Sequence, residues 1–531
     1  MSSICFQNFK FASSATMLKL RFCGSMMRCL SRCAQKKYEP ISISKSLREN
    51  SPEAYAIMRE AVIKLERQSA RFTNVLLSPK EQAANEVIMR EKKVEYNKGY
   101  LEPGNGNTDE PPYLVLNKIK ETPLYSLLQK MPKGGLLHAH DTAICSSAYL
   151  VELTYRKHLW ICTKNEGADA IAFRFSKEKP TMKATEECSW EPMEEFRERR
   201  GEANVIKYLL RRFSMYPVSS YATNNAAWQD FMSIFMLLDG LLLFAPVWRD
   251  YYYNALTELH ADGVQYLELR SVMPNLYCIN GEQLDIMDTM EIYKSETERF
   301  KANNPDFIDA KLIYAPLRIV EPKVCEDYIK NCIAFKKNYS TFLAGFDLVG
   351  QEELGRPLID FVEQLLKLPE DINFYFHAGE TNWYGTSIDE NLVDAVLLGT
   401  KRIGHGYAII KHPLVMNMLK QLDIAVEVCP VSNQVLQLGQ DYHNHPAAML
   451  IANGVPIVIS SDDPSFWWAS PLTHDFYYAF LGIAPFHADL RFLKQMAMNS
   501  IRYNAMAEEE KKKAFEKWQK QWDKWIDDVA K

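Results

Sequence analysis

The stretch GGLLHAHD, residues 134–141, ends a short apolar run with two histidines and an aspartate. Apolar runs of this kind recur along the chain, separated by stretches long enough for helices, and such alternation indicates a buried parallel sheet. Eight of them predict an α/β fold of the (β/α)8 TIM-barrel type, whose functional residues cluster where strands end. The runs are GGLLHAH (134–140), VQYLELR (264–270), KLIYAPL (311–317), AGFDLV (344–349), NFYFHAG (373–379), RIGHG (402–406), AVEV (425–428) and PIVISSD (456–462).

Length and composition describe a globular protein. The chain has 531 residues, of which 47% are hydrophobic and 24% are charged, enough for a full core and more than one structural unit. A net charge of −5 without a long basic block argues against nucleic acid as a partner. No uninterrupted apolar run reaches the roughly 18 residues of a membrane-spanning helix, so none is predicted.

Residues 1–44 are predicted to be a basic leader, either disordered or a targeting segment. No acidic residue precedes Glu39, and Lys19, Arg21 and Gly24 interrupt the best apolar stretch. A secretory signal needs an unbroken apolar segment, whereas a basic, acid-poor leader is typical of a mitochondrial transit peptide. The sequence leaves both compartments open, along with an extension that carries no address.

Residues 45–112 are predicted to form a helical arm and a linker. Ser78, Pro79 and Glu81 have the spacing of a capping box at a helix start, and LEPGNGNTDEPP (101–112) has the composition of a linker. Residues 113–531 then form the main domain. The long gap between the first two predicted strands indicates an insertion at about 155–225, in which Cys162 and Cys188 would pair in an oxidising compartment.

Potential metal ligands follow four of the predicted strands. His138 and His140 are two residues apart on one strand, so both imidazoles project to the same side. Three imidazoles and a carboxylate favour Zn²⁺ with one position open for water, whose pKa the metal lowers. A lone pair of histidines is a weak signal, but a set gathered from several strand ends is specific. The other strand ends contribute His377, Glu380, His405, Asp462 and Asp463.

Two expectations follow from this placement. Asp462 and Asp463 are adjacent, so in an extended strand end they would face opposite ways, one toward the metal and the other toward a substrate. Glu380 can deliver a proton only if it is protonated itself, so we expect a closed apolar site to raise its pKa.

The ordered motifs resemble those of the adenosine deaminase superfamily, and more closely its adenosine deaminase 2 or adenosine deaminase-related growth factor branch. The resemblance runs from about residue 45 to the C-terminus, which leaves the leader uncovered. It rests on MPKGGLLHAHD, AGFDLVG, FHAGETNWYGTSID, RIGHGYA, EVCPVSNQVL, NHPAAMLI and VISSDDP.

The resemblance implies hydrolytic deamination of adenosine and 2′-deoxyadenosine to inosine and 2′-deoxyinosine, with one Zn²⁺ per subunit. Glu380 resembles the acid that protonates the purine ring, and His405 the residue that orients and deprotonates the attacking water. The implied zinc ligands are His138, His140, His377 and Asp462, and the implied substrate contacts are Asp141, Trp228, Gly350 and Asp463.

The resemblance also implies a homodimer formed through the helical arm, an extracellular location and a growth-factor role exerted by lowering adenosine. Two features depart from the branch. A single glycosylation sequon, Asn338-Tyr339-Ser340, is sparse for a secreted group, and Leu317 stands where the branch carries a sugar-contacting histidine. The alternative is a nucleoside-binding signalling protein with weak or no turnover.

Two other enzyme classes are disfavoured by single features. Two-metal amidohydrolases use a carboxylated lysine at the fourth strand end, and AGFDLVG contains no lysine. An AMP deaminase would place arginine or lysine near the site for the phosphate. The strand-end loops contain no such cluster, although Arg318, Lys401 and Arg402 remain candidates.

Overall fold

The computed structural model describes residues 51–101, 112–164, 169–181, 188–215, 221 and 223–531. The predicted leader (1–44) and most of the predicted linker (101–112) lie outside these residues. The chain divides into two compact units, residues 1–65 and 66–531. The described residues of the first unit belong to helix α1 (Pro52–Gln68), which has no buried residue.

The described residues form the following elements. The strands are β1 (Gly134–His140), β2 (Leu159–Lys164), β3 (Asp169–Phe175), β4 (Ser189–Pro192), β5 (Val264–Ser271), β6 (Leu276–Tyr277), β7 (Gln283–Leu284), β8 (Asp309–Tyr314), β9 (Leu343–Phe346), β10 (Asn373–Phe374), β11 (His377–Ala378), β12 (Arg402–His405), β13 (Ala425–Val428) and β14 (Ile457–Ile459). After α1, the helices are α2 (Pro79–Leu101), α3 (Pro112–Lys120), α4 (Pro123–Gln129), α5 (Ser147–Leu153), α6 (Met193–Arg200), α7 (Glu202–Arg212), α8 (Asn224–Leu242), α9 (Ala245–Ala261), α10 (Ile286–Asn303), α11 (Pro322–Asn338), α12 (Val362–Leu365), α13 (Asn391–Leu397), α14 (Pro413–Leu422), α15 (Pro430–Val435), α16 (Ala447–Ala452), α17 (Thr473–Tyr478), α18 (Leu490–Arg502) and α19 (Glu508–Val529).

Two parallel sheets form the centre of the larger unit. One has the strand order β1-β5-β8-β9-β10 and the other the order β11-β12-β13-β14. Helices connect most consecutive strands, and nearly all residues of β1, β5, β12 and β13 are buried. Burial on both faces explains why these strands read as continuous apolar runs, and the predicted α/β fold with a parallel sheet is confirmed.

The two sheets approach each other at two places. The predicted fifth strand is divided between them: β10 pairs with β9, and β11, two residues later in the chain, pairs with β12. At the other place, the Asp462 N–H donates to the His138 carbonyl (3.0 Å), and the His140 N–H donates to the Asp462 carbonyl (3.2 Å). Closure of the sheets into one barrel stays a prediction.

Several strands end earlier than the apolar runs that predicted them, and two of these differences concern the site. β8 ends at Tyr314, so Leu317 lies beyond it, and β14 ends at Ile459, three residues before Asp462. Asp462 has a left-handed backbone conformation (φ 62°), so the alternation of an extended strand does not apply there. The premise of that prediction, an extended strand end, is therefore not met, and both Asp462 and Asp463 line the same cavity.

The described residues between β1 and β5 form a small antiparallel sheet and five α-helices, α5 to α9. The sheet has the order β3-β2-β4, and the Cys162–Cys188 disulfide links the central strand β2 to the residue that precedes β4, with 5.5 Å between the Cα atoms. Trp228 lies on α8, just beyond the predicted insertion of 155–225. A Cβ built on Gly240 of α8 would lie 1.7 Å from the Phe173 carbonyl oxygen, so this close packing on β3 requires glycine.

The start of α2 has the predicted capping box. The Ser78 N–H donates to Glu81 Oε2 (2.8 Å), and the Glu81 N–H donates to Ser78 Oγ (3.3 Å). Within the described ranges, no helix is both long enough and apolar enough to cross a membrane.

Candidate active site

Four predicted ligands come together from the end of β1, the start of β11 and the residues that follow β14. One ligand atom from each residue lies within 4.8 Å of the others. His138 Nε2 and His140 Nε2 lie 3.2 and 3.1 Å from the same carboxylate atom, Asp462 Oδ1. The cluster consists of His138, His140, His377 and Asp462, all buried except His140, which is half-buried.

The atoms of this cluster fit a divalent metal ion. His138 Nε2 and Asp462 Oδ1 are buried and have no hydrogen-bond partner among the described residues. Orphaned buried polar atoms are costly, and imidazole nitrogens that converge on a carboxylate oxygen are a typical metal ligand set. The chemistry and the geometry of these four residues therefore suit a metal ion.

Buried charged residues orient the first histidine, and the sequence analysis missed them. His138 Nδ1 lies 2.7 Å from Glu427 Oε2, which also accepts from Arg270 Nη2 (2.8 Å). Glu427 Oε1 accepts from Arg402 Nε (2.6 Å). Burial opposes the charge of Glu427, but the two guanidinium groups outweigh this effect and hold its pKa well below the usual range. The charged carboxylate fixes the His138 ring with Nε2 toward the cluster.

A second carboxylate orients His377 in the same way. Asp347 Oδ2 lies 2.7 Å from His377 Nδ1 and accepts from Arg270 Nε (2.8 Å). Burial opposes the ionisation of Asp347, but the neighbouring His377 and Arg270 lower its pKa below the ordinary value. Burial lowers the pKa of His377 to about 3, so its imidazole is neutral and can bind a metal at neutral pH.

Glu380 and His405 lie beside the cluster. Glu380 Oε1 is buried, lacks a hydrogen-bond partner among the described residues and lies 3.6 Å from His405 Nε2. Burial, followed by the negative charge of Asp462, raises the pKa of Glu380 well above the usual range. This is the direction expected of a carboxylic acid that donates a proton near neutral pH.

A chain of hydrogen bonds behind His405 determines which of its ring nitrogens is protonated. The Ala447 N–H donates to His445 Nδ1 (3.1 Å), so neutral His445 carries its proton on Nε2, 3.0 Å from Asn433 Oδ1. Burial lowers the pKa of His445 to about 3 and keeps it neutral. Asn433 Nδ2 donates to His405 Nδ1 (3.2 Å), which leaves the proton of neutral His405 on Nε2. His405 thus presents an N–H donor toward Glu380.

The cluster lies in a cavity of about 340 Å³, a size that suits a small molecule. Asp141 accepts a hydrogen bond from the Tyr293 hydroxyl (2.9 Å). Asp463 Oδ1 is buried without a hydrogen-bond partner in the described part of the chain, and burial, followed by the charge of Asp462, raises the pKa of Asp463 well above the usual range. All four residues predicted as substrate contacts line the cavity: Asp141, Trp228, Gly350 and Asp463.

Family comparisons agree with this geometry. The model of the family described as adenosine deaminase matches residues 214–521, more than half of the chain. The chain belongs to the adenosine deaminase family. The model described as adenosine/AMP deaminase N-terminal matches residues 26–128, which include the start of the adenosine deaminase resemblance.

Individual relatives cover nearly the whole chain. Adenosine deaminase of Lutzomyia longipalpis is 48% identical over 479 residues, which are 90% of this chain and 94% of that protein. Adenosine deaminase 2 of Homo sapiens is 39% identical over 491 residues, 90% of this chain and 93% of that protein. A Burkhoderia ambifaria amidohydrolase structure with bound Zn has a TM-score of 0.55 at 19% identity and covers 77% of this chain and 94% of that chain; this likeness concerns the fold.

Proposed function

We propose that this enzyme is a zinc-dependent deaminase that converts adenosine and 2′-deoxyadenosine to inosine and 2′-deoxyinosine with release of ammonia. One observation carries the proposal: the buried Glu380 carboxyl, with an uncommitted oxygen 3.6 Å from His405 Nε2, lies beside a four-residue ligand cluster. Relatives named adenosine deaminase, up to 48% identical over most of the chain, support this substrate.

The proposed fold is one closed (β/α)8 barrel over residues 113–531, with a helical arm and linker over 45–112 and an insertion at about 155–225. The backbone hydrogen bonds between β1 and Asp462 support closure on one side. The adjacency of β10 and β11 in the chain supports it on the other. Ligands in such barrels lie at the carboxyl ends of the strands, where the cluster is found.

Zn²⁺ is the metal we propose for His138, His140, His377 and Asp462, with one ion per subunit. Three neutral imidazoles and one carboxylate suit zinc better than the harder oxygen-binding cations. A bound Zn²⁺ lowers the pKa of a water molecule and so supplies a nucleophile near neutral pH. Glu427 and Asp347 hold two of the imidazoles in the required orientation.

The residues around this cluster suit attack of water on C6 of the purine. Addition at C6 interrupts the aromatic ring, and a proton delivered to the adjacent ring nitrogen offsets much of that cost. Glu380, with its raised pKa, is the proton donor in this proposal. His405 carries its proton on Nε2 and orients the attacking oxygen by donating a hydrogen bond from this N–H. To accept a proton from the water at Nε2, as the resemblance implied, His405 would need its own proton on Nδ1 instead. One proton of the water reaches the exocyclic nitrogen, which leaves as ammonia, and the other returns to Glu380 as the C6 oxygen becomes a carbonyl.

Two other chemistries fit the residues less well. Arg270 and Arg402 are paired with buried carboxylates. Arg318 donates to two backbone carbonyls and lies 3.4 Å from Glu352. None of these three arginines is therefore available to a substrate phosphate. This disfavours an AMP deaminase. The fourth strand end holds Asp347 instead of a lysine, which disfavours a two-metal site with a carboxylated lysine.

We also propose an extracellular dimer, formed through the helical arm, that acts as a growth factor by lowering extracellular adenosine. The Cys162–Cys188 disulfide supports an oxidising compartment over the mitochondrial or intracellular alternatives. A nucleoside-binding signalling protein with weak turnover is the second candidate. Leu317, an apolar side chain in the cavity lining, is the observation that favours it, because it offers no hydrogen bond to a sugar.

The direct test measures bound zinc and follows the ultraviolet absorbance change during incubation with adenosine. We expect one zinc per chain and efficient turnover. Glu380→Gln should keep the zinc and lower kcat by about 10²- to 10⁴-fold, because an amide cannot donate the proton. Glu363→Gln, an exposed carboxylate on α12, is the control that should match wild type. Zinc-loaded wild type without turnover of adenine nucleosides would refute the deaminase proposal, and wild-type kcat in Glu380→Gln would refute the assigned role.

A further inference from the structure

Asp239 is an acidic residue in an otherwise apolar wall of the cavity. It lies on α8, whose cavity-lining residues Trp228, Phe231 and Phe235 recur at helical spacing. Leu317 is another apolar residue of the lining. A carboxylate in such a wall needs water or a hydrogen-bond donor, so a bound ligand that displaces the water must supply the donor.

The Asp239 carboxylate accepts no hydrogen bond from any residue that the structure describes. Its electrostatic neighbour is a second acid, Asp141, which lines the same cavity. The pKa of Asp239 is raised to about 6, first because the surrounding protein partly desolvates its carboxyl and second because of the charge of Asp141. Asp239 is exposed whereas Asp141 is buried, so the pair extends from the cavity interior toward its mouth.

No arginine or lysine among the described residues neutralises this pair. Arg270 is the one arginine or lysine of the described cavity lining. Its guanidinium is used by Asp347 Oδ2, Glu427 Oε2 and the Leu137 carbonyl, at 2.8, 2.8 and 3.0 Å. The mouth of the cavity is therefore negative and rich in hydrogen-bond acceptors.

We propose that Asp239 is a specificity-determining residue that accepts a hydrogen bond from a sugar hydroxyl of the nucleoside and excludes nucleoside 5′-phosphates by charge repulsion. This inference rests on the proposed function. C6 and N9 of a purine lie on opposite sides of the ring system, so a purine with C6 at Glu380 directs its sugar away from the metal cluster toward the mouth. A sugar hydroxyl is a donor that a carboxylate binds well, whereas a phosphate adds like charge.

The test compares zinc-loaded wild type with Asp239→Asn, which has nearly the same shape but no charge. We expect the KM for adenosine to rise about tenfold with kcat within about twofold of wild type, because a charged hydrogen bond is lost. The ratio of kcat/KM for AMP to that for adenosine should rise about tenfold as the repulsion is removed. Among 2′-, 3′- and 5′-deoxyadenosine, the analogue that lacks the bound hydroxyl should be the least affected by the substitution.

Asp327→Asn is the matched control, since it removes an exposed carboxylate on α11 that pairs with Lys330. Its KM values should equal those of wild type. Asp239→Ser provides a second variant with the same expected direction if the Asn variant folds poorly. Wild type without adenosine turnover would contradict the proposed function. Wild-type turnover together with unchanged KM values and unchanged discrimination against AMP in both Asp239 variants would overturn the present inference alone.

Discussion

Glu427 is a buried residue on which three buried side chains of the candidate site converge. The Glu427 carboxylate accepts hydrogen bonds from Arg270 and Arg402 and contacts His138 Nδ1. Its partners come from three separate strands, so a single side chain links β1, β5 and β12 behind the metal site. The orientation of a metal ligand and the stability of the sheets therefore depend on the same group.

Glu427→Gln should weaken zinc binding by about 10- to 100-fold and lower the free energy of unfolding by about 3–5 kcal/mol. The first effect follows from the loss of the acceptor that orients His138, and the second from leaving buried guanidinium groups without their counter-charge. Chelator competition measures the zinc affinity, and urea unfolding measures the stability. Glu363→Gln is again the exposed control, and zinc affinity equal to wild type in Glu427→Gln would contradict the assigned role.

The sequence predicted the four residues of the candidate metal cluster but not the residues that orient them. His138, His140, His377 and Asp462 end apolar runs, and this position is recognisable without a structure. The charged residues that orient them lie within or at the ends of the same apolar runs, where a charge interrupts the hydrophobic pattern. These residues are Arg270, Asp347, Arg402 and Glu427. Their pairing depends on which strands are neighbours, and only the folded chain establishes it.

Helix α8 is the element that forms the apolar wall of the cavity. Trp228 was expected in the site, whereas Phe231, Phe235 and Asp239 were not, although they share one face of the helix. Helical periodicity identifies such a face but does not say what it packs against. That is decided by the close contact of Gly240 with β3, which joins the insertion to the cavity wall.

Gly240→Ala should destabilise the protein by about 1–3 kcal/mol, because the new methyl group overlaps the Phe173 carbonyl and forces α8 away from β3. In an exposed helix the same substitution would be stabilising by about 1 kcal/mol, so the sign of the change is informative. Urea unfolding measures it. Gln229→Ala, at an exposed position of the same helix, is the control and should change the stability by less than about 0.5 kcal/mol. A Gly240→Ala variant as stable as wild type would contradict the close packing.

At the scale of the whole molecule, the order of apolar runs predicted the parallel α/β fold, because strands buried on both faces leave a pattern in the sequence. The division of the fifth run into β10 and β11 was not predictable, since it depends on how two sheets meet. The left-handed conformation of Asp462 was missed for a similar reason: its backbone is fixed by hydrogen bonds to His138 and His140, far away in the chain.

In our proposal, the fold gathers His138, His140, His377 and Asp462 around a single ion. Diffraction data from crystals of the zinc-loaded protein, collected on both sides of the zinc absorption edge, test it directly. We predict one anomalous peak per chain, about 2.0–2.2 Å from one nitrogen of each histidine and from an Asp462 oxygen. A peak at the neighbouring His138, His405 and Cys429 group, or no peak at this cluster, would contradict the account.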